Sequence, residues 1–236
     1  MSGNTFGTLN LGDTASAPTL RQAAEAGHSR AMHNLGVLLA QRVDLDGAEA
    51  WFRRAADAGE SGAMTGLGVL FHRWGDLDGA EAWFRRAADA GESVAMHNLG
   101  VLFDERGDLD AAEAWYRRAA DAREIISMTG LGVLFDERGD LDAAEAWFRR
   151  AIEAGESGAM HNLGVLFHRR GDLDAAEAWY RQAADAGNSD AVDSLRSVRA
   201  LRSRKGFGGP STILGRLGRS VVRGGGRRTG RWRRRR

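Results

Sequence analysis

No cysteine occurs anywhere in the chain. Disulfides, thiolate zinc sites, iron–sulfur ligation and cysteine nucleophiles are therefore excluded. Proline is nearly absent as well: Pro18 and Pro210 are the only two, so the long stretch between them lacks the strongest helix breaker. Lysine is reduced to Lys205 among 33 Lys+Arg, which points to a GC-rich, bacterial coding sequence. No segment approaches the roughly 20 apolar residues of a membrane span. The opening MSGNTFGTLNLGDTASAPT has no basic residue and no apolar run of signal-peptide length, so the expected location is the cytoplasm. A phosphate loop, a nucleophile elbow and metal-ligand spacing are all missing. The expectation is a protein that is not an enzyme, with no cofactor and no metal.

What is present is enough for a core: 43% of residues are apolar and 28% charged. The formal net charge of +1 hides a strong asymmetry. Residues 187–236 carry 15 bases and 2 acids, leaving 18 bases against 30 acids in the rest. An acidic body is joined to a basic tail.

The body is a repeat of period 32, with blocks starting at Gly27, Gly59, Gly91, Arg123 and Gly155. The blocks at Gly91 and Gly155 agree at 28 of 32 positions. Each block holds two apolar patterns of helical spacing. In the second block, helix A carries Met64, Leu67, Leu70 and Phe71, and helix B carries Leu77, Ala80, Trp83, Phe84 and Ala87. Gly75-Asp76 between them suits a left-handed stop followed by a helix cap. Gly59-Glu60-Ser61 predicts the same device at the other turn, with serine as the start. Helix B repeats a Trp-aromatic pair, from Trp51-Phe52 to Trp179-Tyr180, which is expected to pack between stacked hairpins.

The spacing Leu67-Gly68, Phe71, Ala80, Phe84, Ala87 resembles the tetratricopeptide repeat, and AWYRRAADAGESGAMHNLGVLF resembles the Sel1-like repeat of the same superfamily. The resemblance covers residues 19 to about 202. It implies an all-α, right-handed α-solenoid of stacked helix–turn–helix repeats used for protein recognition. The expected organisation is a flexible, disordered N-terminal segment over 1–18, a solenoid over 19–203 (half repeat, five repeats, capping helix) and a disordered Arg/Gly-rich basic tail over 204–236.

In such solenoids helix A lines the concave groove. The resemblance puts His33-Asn34, His97-Asn98 and His161-Asn162 there, alternating with Thr65-Gly66 and Thr129-Gly130. An asparagine there can exchange hydrogen bonds with an extended peptide backbone. It is equally what duplication of a two-repeat unit leaves behind. The three histidines lie about 20 Å apart if helices pack ~8–10 Å from one another, too far to share a metal ion. Asp104, Glu105, Asp136 and Glu137 fall on adjacent helices between His72-Arg73 and His168-Arg169, which predicts an acidic centre in the groove. The expected occupant is a peptide or helix of another protein, or the chain's own tail docked on the acids; ordinary solvated helix ends fit as well.

One block departs from the pattern. Arg123-Glu124-Ile125-Ile126-Ser127 lacks both the glycine and the serine, so helix is expected to run through the turn with Ile125 and Ile126 exposed. In the tail, Arg227, Arg228, Arg231, Arg233, Arg234, Arg235 and Arg236 surround Trp232. Bidentate phosphate contacts and base stacking make nucleic acid one candidate partner, with steep salt dependence. An anionic membrane surface is another, since Ile213, Leu217 and Val221 share a helical face. The main expectation is a protein-interaction scaffold; the alternative is a nucleic-acid-associated protein acting through the tail.

Overall fold

The computed structural model describes residues 16–207, with side chains from Thr19 to Ser203. The predicted N-terminal segment and basic tail lie almost wholly outside the described residues. Twelve helices follow one another, with no strand among the described residues. They are α1 (Ser16–Glu25), α2 (Ser29–Gln41), α3 (Leu45–Asp57), α4 (Ser61–Arg73), α5 (Leu77–Asp89) and α6 (Ser93–Glu105). Then come α7 (Leu109–Asp121), α8 (Ile126–Glu137), α9 (Leu141–Glu153), α10 (Gly158–Arg169), α11 (Leu173–Asp185) and α12 (Ser189–Phe207). Even-numbered helices are the A helices and odd-numbered ones the B helices.

The A-to-B turns form as the residues dictate. Gly75 takes φ +80°, and Asp76 Oδ1 accepts from the Gly79 amide at 2.9 Å. Asp44, Asp108, Asp140 and Asp172 cap their helices in the same way. Each such cap contributes roughly 1 kcal/mol. The B-to-A turns differ from expectation. The cap position is Glu60 rather than Ser61, and its side chain makes no cap bond. The serine reaches across repeats instead: Ser61 Oγ donates to Glu92 at 3.0 Å, as Ser29 does to Glu60 and Ser93 to Glu124. The serine opens the helix as expected, but its hydroxyl ties repeats together rather than capping the helix.

The ends also shift. Helix α1 begins at Ser16 and includes Pro18, which the first turn accepts because its amide needs no partner there. Helix α12 runs to Phe207, four residues past the expected end. At the irregular block the helix does not run on: Arg123 adopts φ +65° in the glycine's place, and Ile125 and Ile126 are exposed at 36% and 48%.

Each repeat closes on a ring-to-glycine contact. Phe52, Phe84, Tyr116, Phe148 and Tyr180 are buried on helix B. Each ring packs against the glycine of the Leu-Gly pair: a Cβ at Gly36, Gly68, Gly100, Gly132 or Gly164 would fall 2.4–2.6 Å from it. The neighbouring tryptophans are different. Trp51, Trp83, Trp147 and Trp179 are only half-buried, and Trp115 alone is buried. They lie under guanidinium groups: Arg54, Arg86, Arg118 and Arg150 sit 4.2–5.0 Å from the ring three residues back. Arg53, Arg85, Arg117 and Arg149 reach the tryptophan of the following repeat at 5.5–5.9 Å. A cation over a tryptophan face contributes about 0.5–1 kcal/mol at an exposed site.

Val43 occupies the one A-to-B turn without glycine. It holds φ +67° and is 72% exposed. The left-handed region costs an L-residue roughly 1–2 kcal/mol, and the exposed side chain returns no packing. Val43→Gly is expected to raise the unfolding midpoint by about 2–4 °C, read by circular dichroism. An unchanged or lower midpoint would show that the turn carries no strain.

Candidate functional site

Helices α2 and α4, α6 and α8, α8 and α10, and α10 and α12 meet directly, in addition to packing on their B neighbours. The A helices therefore crowd onto the inner side of the array, and their exposed faces line the groove.

The histidines turn into the wall of this groove. His33, His97 and His161 lie against Phe52, Tyr116 and Tyr180, with ring centroids 5.5–5.7 Å apart. His97 Nδ1 meets the buried Ser127 Oγ at 2.9 Å, and His161 Nε2 meets Ser194 Oγ at 3.1 Å. Burial pushes the His97 imidazole down to about 4, and it lowers His33 and His161 in the same direction. All three are neutral at pH 7.

The alternation of His-Asn with Thr-Gly is a packing device. The ring under His33 meets Gly66 of the next repeat, where a Cβ would fall 2.8 Å away. The ring under His97 meets Gly130 in the same way at 3.0 Å. A large residue on one side of the ring goes with a small one on the other. In the alternate repeats Thr replaces His, and the following repeat brings Asn. Asn34, Asn98 and Asn162 are half-buried. Asn98 lines a cleft of about 110 Å³ between α4 and α6, with Val69, His72, Arg73, Phe84 and Val101.

The four acids lie at the C-terminal ends of α6 and α8. The flanking bases do not merely border them. His72 Nε2 meets Glu105 Oε2 at 2.7 Å, and Arg169 pairs with Asp136. Asp104 and Glu137 have no ion pair among the described residues. Partial burial, with Glu105 beside it, raises the Asp104 carboxyl above its ordinary value. Burial, and then Asp104, Glu105 and Glu137, push the Tyr116 phenol well up, which places its ring at the edge of the same acidic patch. One and three turns earlier the surface is apolar: Val133 is 37% exposed, and Ile126 and Val94 are 48% and 40% exposed. Helices α6 and α8 have no basic residue in their last turns, unlike α4 and α10. Among the described residues no three His, Asp or Glu are grouped to hold a metal ion, and no helix is long and apolar enough to cross a membrane. The tail arginines and Trp232 lie outside the described residues.

A feature not anticipated from sequence joins every later repeat. Arg106, just after α6, reaches back to Asp78 and Glu81 at the start of α5. Arg138, Arg170 and Arg202 repeat the contact with Asp110 and Glu113, Asp142 and Glu145, and Asp174 and Glu177. Partial burial pushes Glu81 up, but hydrogen bonds from Arg85 and Arg106 outweigh it and leave its pKa below the ordinary value. The signal was an arginine 25 and 28 residues after the two acids, placed before the Gly-Asp turn at Arg106, Arg138 and Arg170 and within α12 at Arg202.

Two family models described as tetratricopeptide repeat match the chain, one at residues 11–63, 60–95 and 126–159, the other at 93–127 and 158–186. No curated protein matches by sequence. Solved structures do. One is c5321, a protective antigen of uropathogenic Escherichia coli with an SLR fold, at 26% identity and TM-score 0.66, covering 79% of this chain and 44% of that one. The chain thus spans less than half the length of that protein. Another is a Sel1 repeat protein from Oxalobacter formigenes, at 22% identity and TM-score 0.64, covering 80% and 90%. BtubC from P. vanneervenii aligns at 19% identity and TM-score 0.61, over 91% and 100%. Helix order, the ring-on-glycine hairpin and the family models agree: the chain belongs to the tetratricopeptide repeat family, with the stacked α-solenoid of its Sel1-like members.

Proposed function

We propose that the chain is a protein-interaction scaffold whose groove, at α6 and α8, binds a partner segment that carries a basic residue beside apolar ones. Repeat proteins of this family generally mediate protein–protein contacts. The observation that carries the finer reading is the placement of the acids. A helix C-terminus bears partial negative charge, so each carboxylate there costs roughly 0.3–1 kcal/mol. Four are gathered on two adjacent helices, and among the described residues only Glu105 and Asp136 have partners from the flanking helices, His72 and Arg169. An incoming guanidinium or ammonium would relieve Asp104 and Glu137. The exposed Val133, Val94 and Ile126 would take the segment's apolar side chains.

The test is selection from a random peptide library displayed on phage, followed by calorimetry. Selected peptides should share a Lys or Arg close to a branched aliphatic residue. Asp104→Asn with Glu137→Gln should weaken them about tenfold, or about 1.4 kcal/mol. These substitutions remove charge repelled by the helix dipole, so the variant is expected to be no less stable, and unfolding cannot account for the loss. Selected peptides that bind the variant equally well would overturn the reading.

A further inference from the structure

The arginine rungs leave one vacancy. Asp46 and Glu49, at the start of α3, repeat the acid pair that holds a guanidinium at Asp78/Glu81, Asp110/Glu113, Asp142/Glu145 and Asp174/Glu177. At the position of Arg106 and its equivalents, however, stands Trp74. In Glu81 one carboxylate oxygen takes Arg85 of its own helix and the other takes Arg106. Glu113 and Glu145 divide their oxygens the same way. In Glu49, Oε1 takes both bonds from Arg53, and Oε2 and the Asp46 carboxylate have no partner among the described residues. Trp74 packs edge-on against Phe71 at 5.5 Å and remains 43% exposed.

Two carboxylates at a helix start would not by themselves define a ligand. Here the molecule names the ligand itself, because the same pair grips a guanidinium in four other repeats. The exposed indole at the position from which arginine reaches the acids in the later repeats adds a face on which a guanidinium can stack.

We infer that Asp46, Glu49 and Trp74 form a guanidinium site, and that the chain's own arginine segment, residues 227–236, occupies it. Charge complementarity favours this occupant, since the body is acidic and the segment basic. Reach allows it. The site lies four repeats from the last rung, about 40 Å at ~10 Å per repeat. A chain of 20 residues, the number from Phe207 to Arg227, can span at most about 65 Å at ~3.3 Å each. The site stands at an A-to-B turn, apart from the α6–α8 acids, and does not depend on what binds the groove.

The test uses the full chain and the indole N–H resonance of Trp74, assigned by its loss in Trp74→Phe. Changing the seven arginines of residues 227–236 to lysine keeps the charge but removes the planar fork. The Trp74 resonance is expected to shift in that variant, and Asp46→Asn with Glu49→Gln should produce a shift in the same direction. The indoles of Trp115 and Trp147 should stay in place, which controls for folding. Adding the free peptide GRRTGRWRRRR to the lysine variant should return the resonance. A Trp74 resonance indifferent to the lysine change overturns the proposal. So does a shift that disappears on tenfold dilution, because the occupant would then come from a second molecule.

Discussion

Gly100→Ala is expected to destabilise the chain by about 2 kcal/mol, although alanine is the better helix former. Glycine in a helix interior is about 1 kcal/mol worse than alanine, so propensity alone predicts a gain. Packing reverses the sign. The new methyl would fall 2.5 Å from Tyr116 Cδ1 and 2.6 Å from Cε1. The ring cannot retreat, because His97 lies on it and Gly130 of the next repeat closes against it. Overpacking a filled core costs roughly 1–3 kcal/mol. Gly47→Ala is the counter-case. There the three atoms nearest to a Cβ all belong to the Asp44 carboxylate, the end of a side chain that can shift. The later repeats already carry Ala111, Ala143 and Ala175 at this position with their aspartate caps intact. That variant should gain about 0.5–1 kcal/mol. Urea unfolding of both variants decides the matter; a stabilised Gly100→Ala would mean that the ring has room the packing denies.

The second large effect is on pH. The unfolded His97 titrates near 6.5 and the folded one near 4. Between those values the unfolded chain binds a proton that the folded chain refuses. Stability is therefore complete above about pH 6.5 and falls as pH drops toward 4, by about 3 kcal/mol from this residue. His33 and His161 are lowered too and act in the same sense. The depressed carboxylates Glu81 and Glu177 lose their contribution only lower, as pH falls through the carboxylate range. Comparing urea midpoints at pH 7 and pH 5 thus isolates the histidines. His97→Gln should remove much of the difference. An equal difference in both proteins would show that His97 is not held neutral by burial.

The hairpins, their turns and the buried aromatic of helix B were legible because each rests on a local rule. Gly75-Asp76 stops one helix and caps the next whatever lies around it. Residues that act between repeats were not. Ser61 looks like a helix cap and does open α4, yet its hydroxyl belongs to Glu92, 31 residues on. The Trp83 ring looks like core, yet its faces are covered by Arg86 and Arg53. These outcomes depend on the stacking register, which no single hairpin contains. The acidic centre was legible as a cluster because the period aligns Asp104 with Asp136. The contacts that His72 and Arg169 make with Glu105 and Asp136 follow from side-chain reach between helices, which the period leaves open.

The ring packed between His and Gly in one interface, with Thr and Asn at the equivalent positions of the next, sets the unit by which this chain can change length. Deleting the block from Gly91 would leave Phe84 between Thr65 and Gly130, with a void beside it. Deleting the block from Arg123 would press Tyr116 between His97 and Asn162, with no space for both. Removing or inserting the two blocks together restores every pairing. The heritable module is therefore the double hairpin, and relatives that differ in size should differ by an even number of repeats.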